Sequence, residues 1–498
     1  MFETAELGHR LGKKAYGKIE PELRADLLAA QFDLARDASF PVILLVSGVR
    51  GAGKGETVNL LNGWMDPRHI HTHAFDNPSD EEIERPPMWR YWRALPPKGR
   101  IGILFGSWYT APIIDRVFKR ANAKDLMSSI DEINHFEKML ADEGAVILKF
   151  WFHLGKDQQK KRLQALEDDP ETRWRITERD WKFFKKYDRF YGISESVLQQ
   201  TSTSWAPWVV VEGANREYRS VTVGKTLLEA LRKRLARGPD GPRRRSNSEA
   251  APLLRPIDRL SVLDKLDLSA ALPKARYRAE MAKLRRQLAL LTRQTKFADH
   301  NVVCVFEGVD AAGKGGAIRR ITAALDARLY HTIPIAAPTD EERAQPYLWR
   351  FWRHIPRQGR FTIYDRSWYG RVLVERIEGL CSEDDWMRAY SEINEFEDQL
   401  TRNGTVIAKF WLQISKEEQL RRFTQREKTS FKQFKLTAED WRNREKWDAY
   451  QAAAADMIER TGTKAAPWVL VEANDKYHAR IKVLRSLVGA LRDRLARA

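Results

Sequence analysis

Val302-Val303-Cys304-Val305-Phe306-Glu307-Gly308-Val309-Asp310-Ala311-Ala312-Gly313-Lys314-Gly315-Gly316 is the stretch whose reading decides the fold. A β-branched apolar run enters a glycine-rich turn that carries one lysine. Ala317-Ile318-Arg319-Arg320-Ile321 then resumes at helical spacing. Strand, loop and helix in that order are the context in which a phosphate-binding loop is credible. Glycines such as Gly308, Gly313, Gly315 and Gly316 let backbone N–H groups converge on phosphate oxygens, and the next helix turns its positive end to the same anion. Lys314 supplies a mobile charge. Loops of this kind usually follow their lysine with Ser or Thr to reach a metal, but here Gly315 stands in that place. The nearest residue able to take over that task is Asp310.

The loop is written twice. Gly48-Val49-Arg50-Gly51-Ala52-Gly53-Lys54-Gly55 restates it at an offset of 260 (308 − 48 = 260). The same offset relates Trp89 to Trp349, Trp92 to Trp352, Ser107 to Ser367, Trp151 to Trp411, Trp181 to Trp441 and Pro207 to Pro467. A constant offset over such a span implies tandem duplication with almost no insertion, so both halves share a fold. The expected division is a first domain over residues 1–236, a Gly/Pro/Ser-rich charged linker over 237–252 and a second domain over 253–498.

Within the second half, Val302–Phe306, Phe361–Tyr364, Val406–Leu412 and Trp468–Val471 read as strands buried on both faces, because each is a nearly unbroken apolar run. Helical patterns alternate with them. Ala275 to Phe297 has Leu284, Leu288 and Leu291 on one face, its counterpart is Glu22 to Arg36, and Ser415-Lys416-Glu417-Glu418 reads as a capping box. The fold class is therefore α/β: two tandem P-loop kinase-like domains, each a doubly wound parallel sheet with flanking helices and a helical lid. Ligands are expected at the carboxyl ends of the strands.

Composition narrows the function. At 498 residues, 43% hydrophobic and 31% charged, the chain reads as a soluble multidomain protein. Met1 to Glu20 has no apolar segment of signal-peptide length and Pro41 to Val46 is too short to span a bilayer, so a cytoplasmic location and no membrane partner are expected. Cys304 and Cys381 form no disulfide framework. His69, His71 and His73 alternate, but nothing completes a ligand set, and they read as a polar loop. The 86 Lys and Arg against 68 Asp and Glu leave +18, a balance that suits a polyanionic partner.

The second strand ends in Tyr364-Asp365-Arg366-Ser367-Trp368-Tyr369-Gly370-Arg371. An acid at the tip of a buried strand beside a phosphate loop is where such folds place a magnesium ligand, so Asp365 joins Asp310 as a metal candidate. Arg366 and Arg371 are placed to neutralise charge on a moving phosphoryl group. Arg350 and Arg353 share a helical face and suit an acceptor phosphate, while Trp349 and Trp352 suit the core. Arg421, Arg422, Arg426, Lys428, Lys432 and Lys435 crowd one segment ahead of Asp440, as in a basic lid that closes over phosphates.

These motifs, with Lys409-Phe410-Trp411-Leu412, Ile414-Ser415-Lys416-Glu417-Glu418 and Ala466-Pro467-Trp468-Val469, resemble the polyphosphate kinase 2 family across the second half and, more weakly, the first. The tandem arrangement is similar to that family's two-domain branch. That resemblance implies phosphoryl transfer from inorganic polyphosphate to AMP, giving ADP, with Mg²⁺ as cofactor. It implies function on Lys314, Asp310, Asp365 and Arg366. The family's Lys-x-Trp-Lys lid pattern is matched at Lys432-Gln433-Phe434-Lys435 with Phe in place of Trp. The first half departs more: Arg50 stands opposite Asp310, and Phe105 and Gly106 opposite Asp365 and Arg366. It is expected to be catalytically degenerate.

Alternative acceptors are ADP or a guanine nucleotide, and an ATP-dependent kinase of thymidylate-kinase type shares the Asp-Arg pair. A nucleic-acid motor fits poorly, because such enzymes set a Glu beside the strand-end Asp to activate water, and Arg366 holds that place. No nucleic-acid partner is expected. A monomer of paired halves and a homo-oligomer both fit the repeat.

Overall fold

The computed structural model describes residues 1–238, 261–429 and 437–497. The chain forms two units. One comprises Met1–Pro78, Arg90–Arg244 and Thr339–Trp349, the other Ser79–Trp89, Arg245–Pro338 and Arg350–Ala498. The two short segments occupy the same place in the two repeats, and each belongs to the unit built mainly from the other repeat. The expected linker falls, from residue 239 on, outside the described residues.

Each repeat builds a five-stranded sheet that is parallel throughout. The strands are β1 (Val42–Gly48), β2 (Ile70–Ala74), β3 (Ile101–Phe105), β4 (Val146–His153) and β5 (Trp208–Glu212), then β6 (Val302–Gly308), β7 (Tyr330–Pro334), β8 (Phe361–Asp365), β9 (Val406–Gln413) and β10 (Trp468–Glu472). Their orders are β2-β3-β1-β4-β5 and β10-β9-β6-β8-β7, the same topology twice. The strand that feeds each loop is therefore central. Val302 through Phe306 are wholly buried, which is why this run shows no alternation. Helices Lys13–Asp37 and Arg216–Leu235 pack together in the first repeat, as do Lys274–Leu291 and Lys476–Arg497 in the second.

Several expectations need correction. Each sheet has a fifth strand, β2 or β7, that the sequence reading passed over. These are edge strands with mostly exposed residues, and they lack the continuous apolar run that marks the buried ones. Ala275 to Phe297 is not one helix: Lys274–Leu291 ends when the Thr292 N–H closes on the Leu288 carbonyl, and a 3-10 turn at Thr295–Asp299 buries Phe297. The first-repeat helix begins at Lys13, with Pro21 inside it. Ser415 does cap its helix by accepting from the Glu418 N–H, but the reciprocal half of the box is missing. The Glu418 carboxylate is instead taken by Arg421 and Arg422.

Candidate active site

The second-repeat loop leaves β6 through Gly308 at φ 143°, passes Ala311 at 63° and enters the helix Lys314–Thr322 through Gly313 at 111°. A Cβ on Gly308 would run into the Leu412 backbone of β9, so only glycine lets the chain turn here. Lys314 Nζ donates to the Gly308 carbonyl at 2.7 Å. The outside of the loop is clamped. Arg422 donates to the carbonyls of Ala311 (2.8 Å), Ala312 (3.0 Å), Ala473 (2.6 Å) and Asn474 (2.9 Å), and Gln419 donates to that of Asp310 (3.1 Å). Arg422, which the sequence assigned to a lid, is thus a brace for the loop. Carbonyls held outward turn N–H groups to the inner face of the loop, as an anion site requires, although the Ala312 N–H is spent on the Val309 carbonyl at 3.1 Å.

Asp365 closes β8 in register with Phe306 on β6, which sets the strand-end acid beside the loop. The next residue, Arg366, has φ 65°, a left-handed backbone that side-chain-bearing residues rarely adopt. Its N–H donates to the Phe306 carbonyl at 3.0 Å and its guanidinium meets Asp310 Oδ1 at 3.2 Å. Burial pulls the Arg366 guanidinium down, but the carboxylates of Asp310 and Glu307 outweigh it and hold the charge firmly on. The other oxygen of Asp310 accepts from Asn443 Nδ2 at 2.9 Å, and Tyr450 Oη donates to Asn443 Oδ1 at 3.2 Å. A cleft opens here, lined among others by Gly308, Asp310, Arg366, Glu439, Asn443 and Tyr450.

The sequence missed Glu439, Asn443 and Tyr450. Glu439 and Asn443 lie on the helix Ala438–Glu445, which reads as an ordinary charged helix. The repeat itself held the signal: Arg179 and Phe183 stand opposite Glu439 and Asn443, so the half that lost the acids lost these as well. Other expected site residues, Lys314 and Asp365 among them, are not part of the cleft lining. Arg371 pairs with Glu375 at 3.0 Å, Arg350 is buried and donates to the Ala336 carbonyl at 3.0 Å, and Arg353 is half-buried. Trp349 and Trp352 are core, as expected. Arg426 is half-buried on Lys416–Glu427, and Lys432 and Lys435 lie outside the described residues. Among the described residues no group of three His, Cys, Asp or Glu is disposed to hold a metal, His69, His71 and His73 included.

In the first repeat the same loop is occupied by its own side chains. Arg50 pairs with the buried Asp180 at 2.9 Å. Lys54 Nζ donates to the carbonyls of Gly48 and Val49, each at 2.7 Å, and burial beside the Arg50 charge pushes its pKa down to about 7. The Arg219 guanidinium lies against Gly53 and donates to the Gly213 carbonyl at 2.8 Å, with Ala479 at its place in the second repeat. Gly106 holds φ 76° where Arg366 holds 65°.

Residues 10–238 and 271–498 each match the model of the family Polyphosphate kinase 2 (PPK2). The chain belongs to the polyphosphate kinase 2 family. It is 56% identical over 491 residues to a polyphosphate:AMP phosphotransferase of Pseudomonas aeruginosa, covering 99% of this chain and 98% of that one. A polyphosphate:AMP phosphotransferase of Acinetobacter johnsonii is 39% identical over 481 residues, covering 95% and 96%. The crystal structure of a Pseudomonas aeruginosa PA01 protein superposes with a TM-score of 0.89 at 53% identity, over 100% of both chains. The chain is a phosphotransferase of tandem P-loop kinase-like fold. Among the described residues no helix is long and apolar enough to cross a membrane.

Proposed function

We propose that the chain transfers the terminal phosphoryl group of inorganic polyphosphate to AMP, giving ADP, with Mg²⁺ and in the cytoplasm. The second repeat performs the transfer and the first is catalytically degenerate. The observation that carries this reading is the asymmetry of two otherwise matching sites. One brings Asp310 and Arg366 together at a cleft, with Lys314 opening the next helix and Asp365 closing β8, and the other ties Arg50 to Asp180 and has Phe105 opposite Asp365. Full-length similarity to two polyphosphate:AMP phosphotransferases supports the choice of donor and acceptor.

In this reaction an oxygen of the AMP phosphate bonds to the terminal phosphorus of the chain. The bond from that phosphorus to the bridging oxygen breaks, and polyphosphate leaves one unit shorter. The acceptor oxygen is already deprotonated at neutral pH, so no general base is required. The work is positioning and charge neutralisation. The loop N–H groups and Lys314 hold the transferring phosphates, and Arg366 neutralises charge as it builds on the moving group. Asp310 and Asp365 would hold Mg²⁺. Two carboxylates fit that ion, which keeps its other positions for water and phosphate oxygens. Bound there, it would supply positive charge against the phosphate oxygens. Among the described residues no hydrogen bond engages the Asp365 carboxylate, which is left available for such a ligand role. On motif position alone, Arg350 and Arg353 are proposed for the acceptor phosphate, although neither lines the cleft. Arg371, Arg426, Lys432 and Lys435 are assigned to the donor chain, whose many charges give the net +18 a purpose.

The test is ADP formation from AMP, Mg²⁺ and long-chain polyphosphate with no ATP present. ADP appears, and apparent affinity for the donor falls with salt and rises with chain length. If AMP stays untouched with polyphosphate while ATP supports phosphorylation of a nucleotide, the donor assignment fails.

A further inference from the structure

Glu307 is a buried acid that the reaction outlined above does not use. It follows Phe306 at the end of β6, is 5% exposed, and lines the cleft beside Gly308 and Asp310. Its Oε1 accepts from Ser367 Oγ at 2.8 Å, and Ser367 is 1% exposed. Ser367 Oγ in turn accepts from the Tyr369 N–H at 3.3 Å. Ser367 directly follows Arg366, whose left-handed backbone (φ 65°) costs free energy for any residue with a Cβ. Such a conformation persists only where its surroundings over-determine it.

The first repeat supplies an internal control. Its turn Phe105-Gly106-Ser107 has the same shape, with Gly106 at φ 76° and a buried Ser107 whose Oγ accepts from the Tyr109 N–H at 3.5 Å. Opposite Glu307 it has Ser47. The turn therefore forms without a carboxylate when glycine occupies the strained position. The carboxylate is present in the repeat where an arginine must be held there. Two strands are tied together by this contact, since Glu307 lies on β6 and Ser367 just beyond β8. The tie complements the bond from the Arg366 N–H to the Phe306 carbonyl at 3.0 Å.

We propose that Glu307 is a positioning residue: through Ser367 Oγ it holds Arg366 in the left-handed turn that aims the guanidinium at Asp310 and at the transferring phosphoryl group. This rests on the second repeat being the site of transfer. Glu307→Ala and Ser367→Ala each lower kcat roughly 10- to 100-fold with KM for AMP nearly unchanged, the scale of misplacing one group by about an ångström. The double variant is no worse than either single one, because both remove one contact. Glu307→Gln, whose amide oxygen still accepts from Ser367, keeps most of the rate. In an Arg366→Ala background, Glu307→Ala has no further effect.

Three results would overturn the proposal. One is a Glu307→Gln variant as slow as Glu307→Ala, which would assign the role to the charge rather than the hydrogen bond. The second is an equal loss from Glu307→Ala with and without Arg366. The third comes from the crystal structure of Ser367→Ala, where φ of Arg366 is expected to leave the left-handed region and the contact with Asp310 to be lost. An unchanged turn refutes the clasp. The crystallographic reading holds whatever the substrates prove to be. If wild-type protein makes no ADP from polyphosphate, the functional reading fails on its own and the clasp is still decided.

Discussion

Replacing Lys409 by Met should destabilise the second repeat by about 3–5 kcal/mol, the usual cost of breaking a buried ion pair by removing one partner. Lys409 is fully buried in β9 and its Nζ donates to Glu397 Oε2 (2.7 Å), Tyr369 Oη (2.9 Å) and the Thr461 carbonyl (2.7 Å). Methionine fills similar volume, so little cavity is left. What is lost is the cation facing the buried Glu397, and the donor to Thr461, worth about 1–3 kcal/mol as an orphaned carbonyl. Trp368 Nε1 (3.0 Å) and Tyr369 Oη still reach Glu397, and burial already pushes its carboxyl up, so it takes a proton and the loss stays within that range. Glu397→Leu added to Lys409→Met should recover part of the cost. The first repeat repeats the contact, with Lys149 on Glu137 (2.7 Å), Tyr109 (3.0 Å) and the Thr201 carbonyl (2.7 Å), so Lys149→Met should cost its own unit the same amount. Urea unfolding of both variants, followed by two probes, measures this. Only Lys409→Met should slow ADP formation, because Trp368 and Tyr369 continue the turn that carries Arg366, whereas Trp108 and Tyr109 continue one that carries Gly106. A cost below about 1 kcal/mol, or equal loss of transfer from Lys149→Met, would refute this reasoning.

Lys54 should make stability depend on pH. Its folded pKa of about 7 lies below its ordinary 10.5, so between these values the unfolded chain binds the extra proton. Unfolding free energy therefore rises with pH across that window, by up to about 1.4 kcal/mol per unit for one group, and the penalty is complete and constant below it. Urea unfolding at pH 7 and pH 9 should show the rise in wild type and a smaller one in Lys54→Met; equal slopes would contradict the shift. Arg366→Gly should leave stability within about 1 kcal/mol of wild type, since relief of the left-handed backbone offsets the added freedom of the unfolded chain. The same variant should lose about 10³-fold or more in ADP formation, on the scale of other arginines that stabilise phosphoryl transfer. A thermal melt and a rate assay on one preparation check both.

The loop, the central strands and the duplication were legible because each leaves a dense local signature. Val302–Phe306 is apolar without a break, Gly308 and Gly313 fall where φ is positive, and the 260-residue offset never slips. The edge strand β7 escaped because Tyr330–Pro334 faces solvent and ends on a proline, whereas the other edge, β10, was read from its apolar run although it is only half-buried. Asp310, which lines the cleft, and Asp365, which closes β8, were singled out by motif position. Asn443 and Tyr450 reach the cleft only through the packing of helices far along the chain, which no local pattern encodes. Arg422 shows the converse error: a basic residue among basic residues read as lid, and the fold turned its guanidinium onto loop carbonyls. The left-handed Arg366 could not be read from sequence at all, except that Gly106 holds its place in the other repeat.

The central claim is that one of two matching loops does the chemistry. The measurement that tests it most directly is ADP formation from AMP, Mg²⁺ and polyphosphate by Lys314→Ala beside Lys54→Ala, with no ATP present. Lys314→Ala should lose on the order of 10²- to 10³-fold, the scale of removing one pre-organised charge from a transition state, while Lys54→Ala stays within a few-fold of wild type. Turnover abolished as thoroughly by Lys54→Ala as by Lys314→Ala would contradict the account.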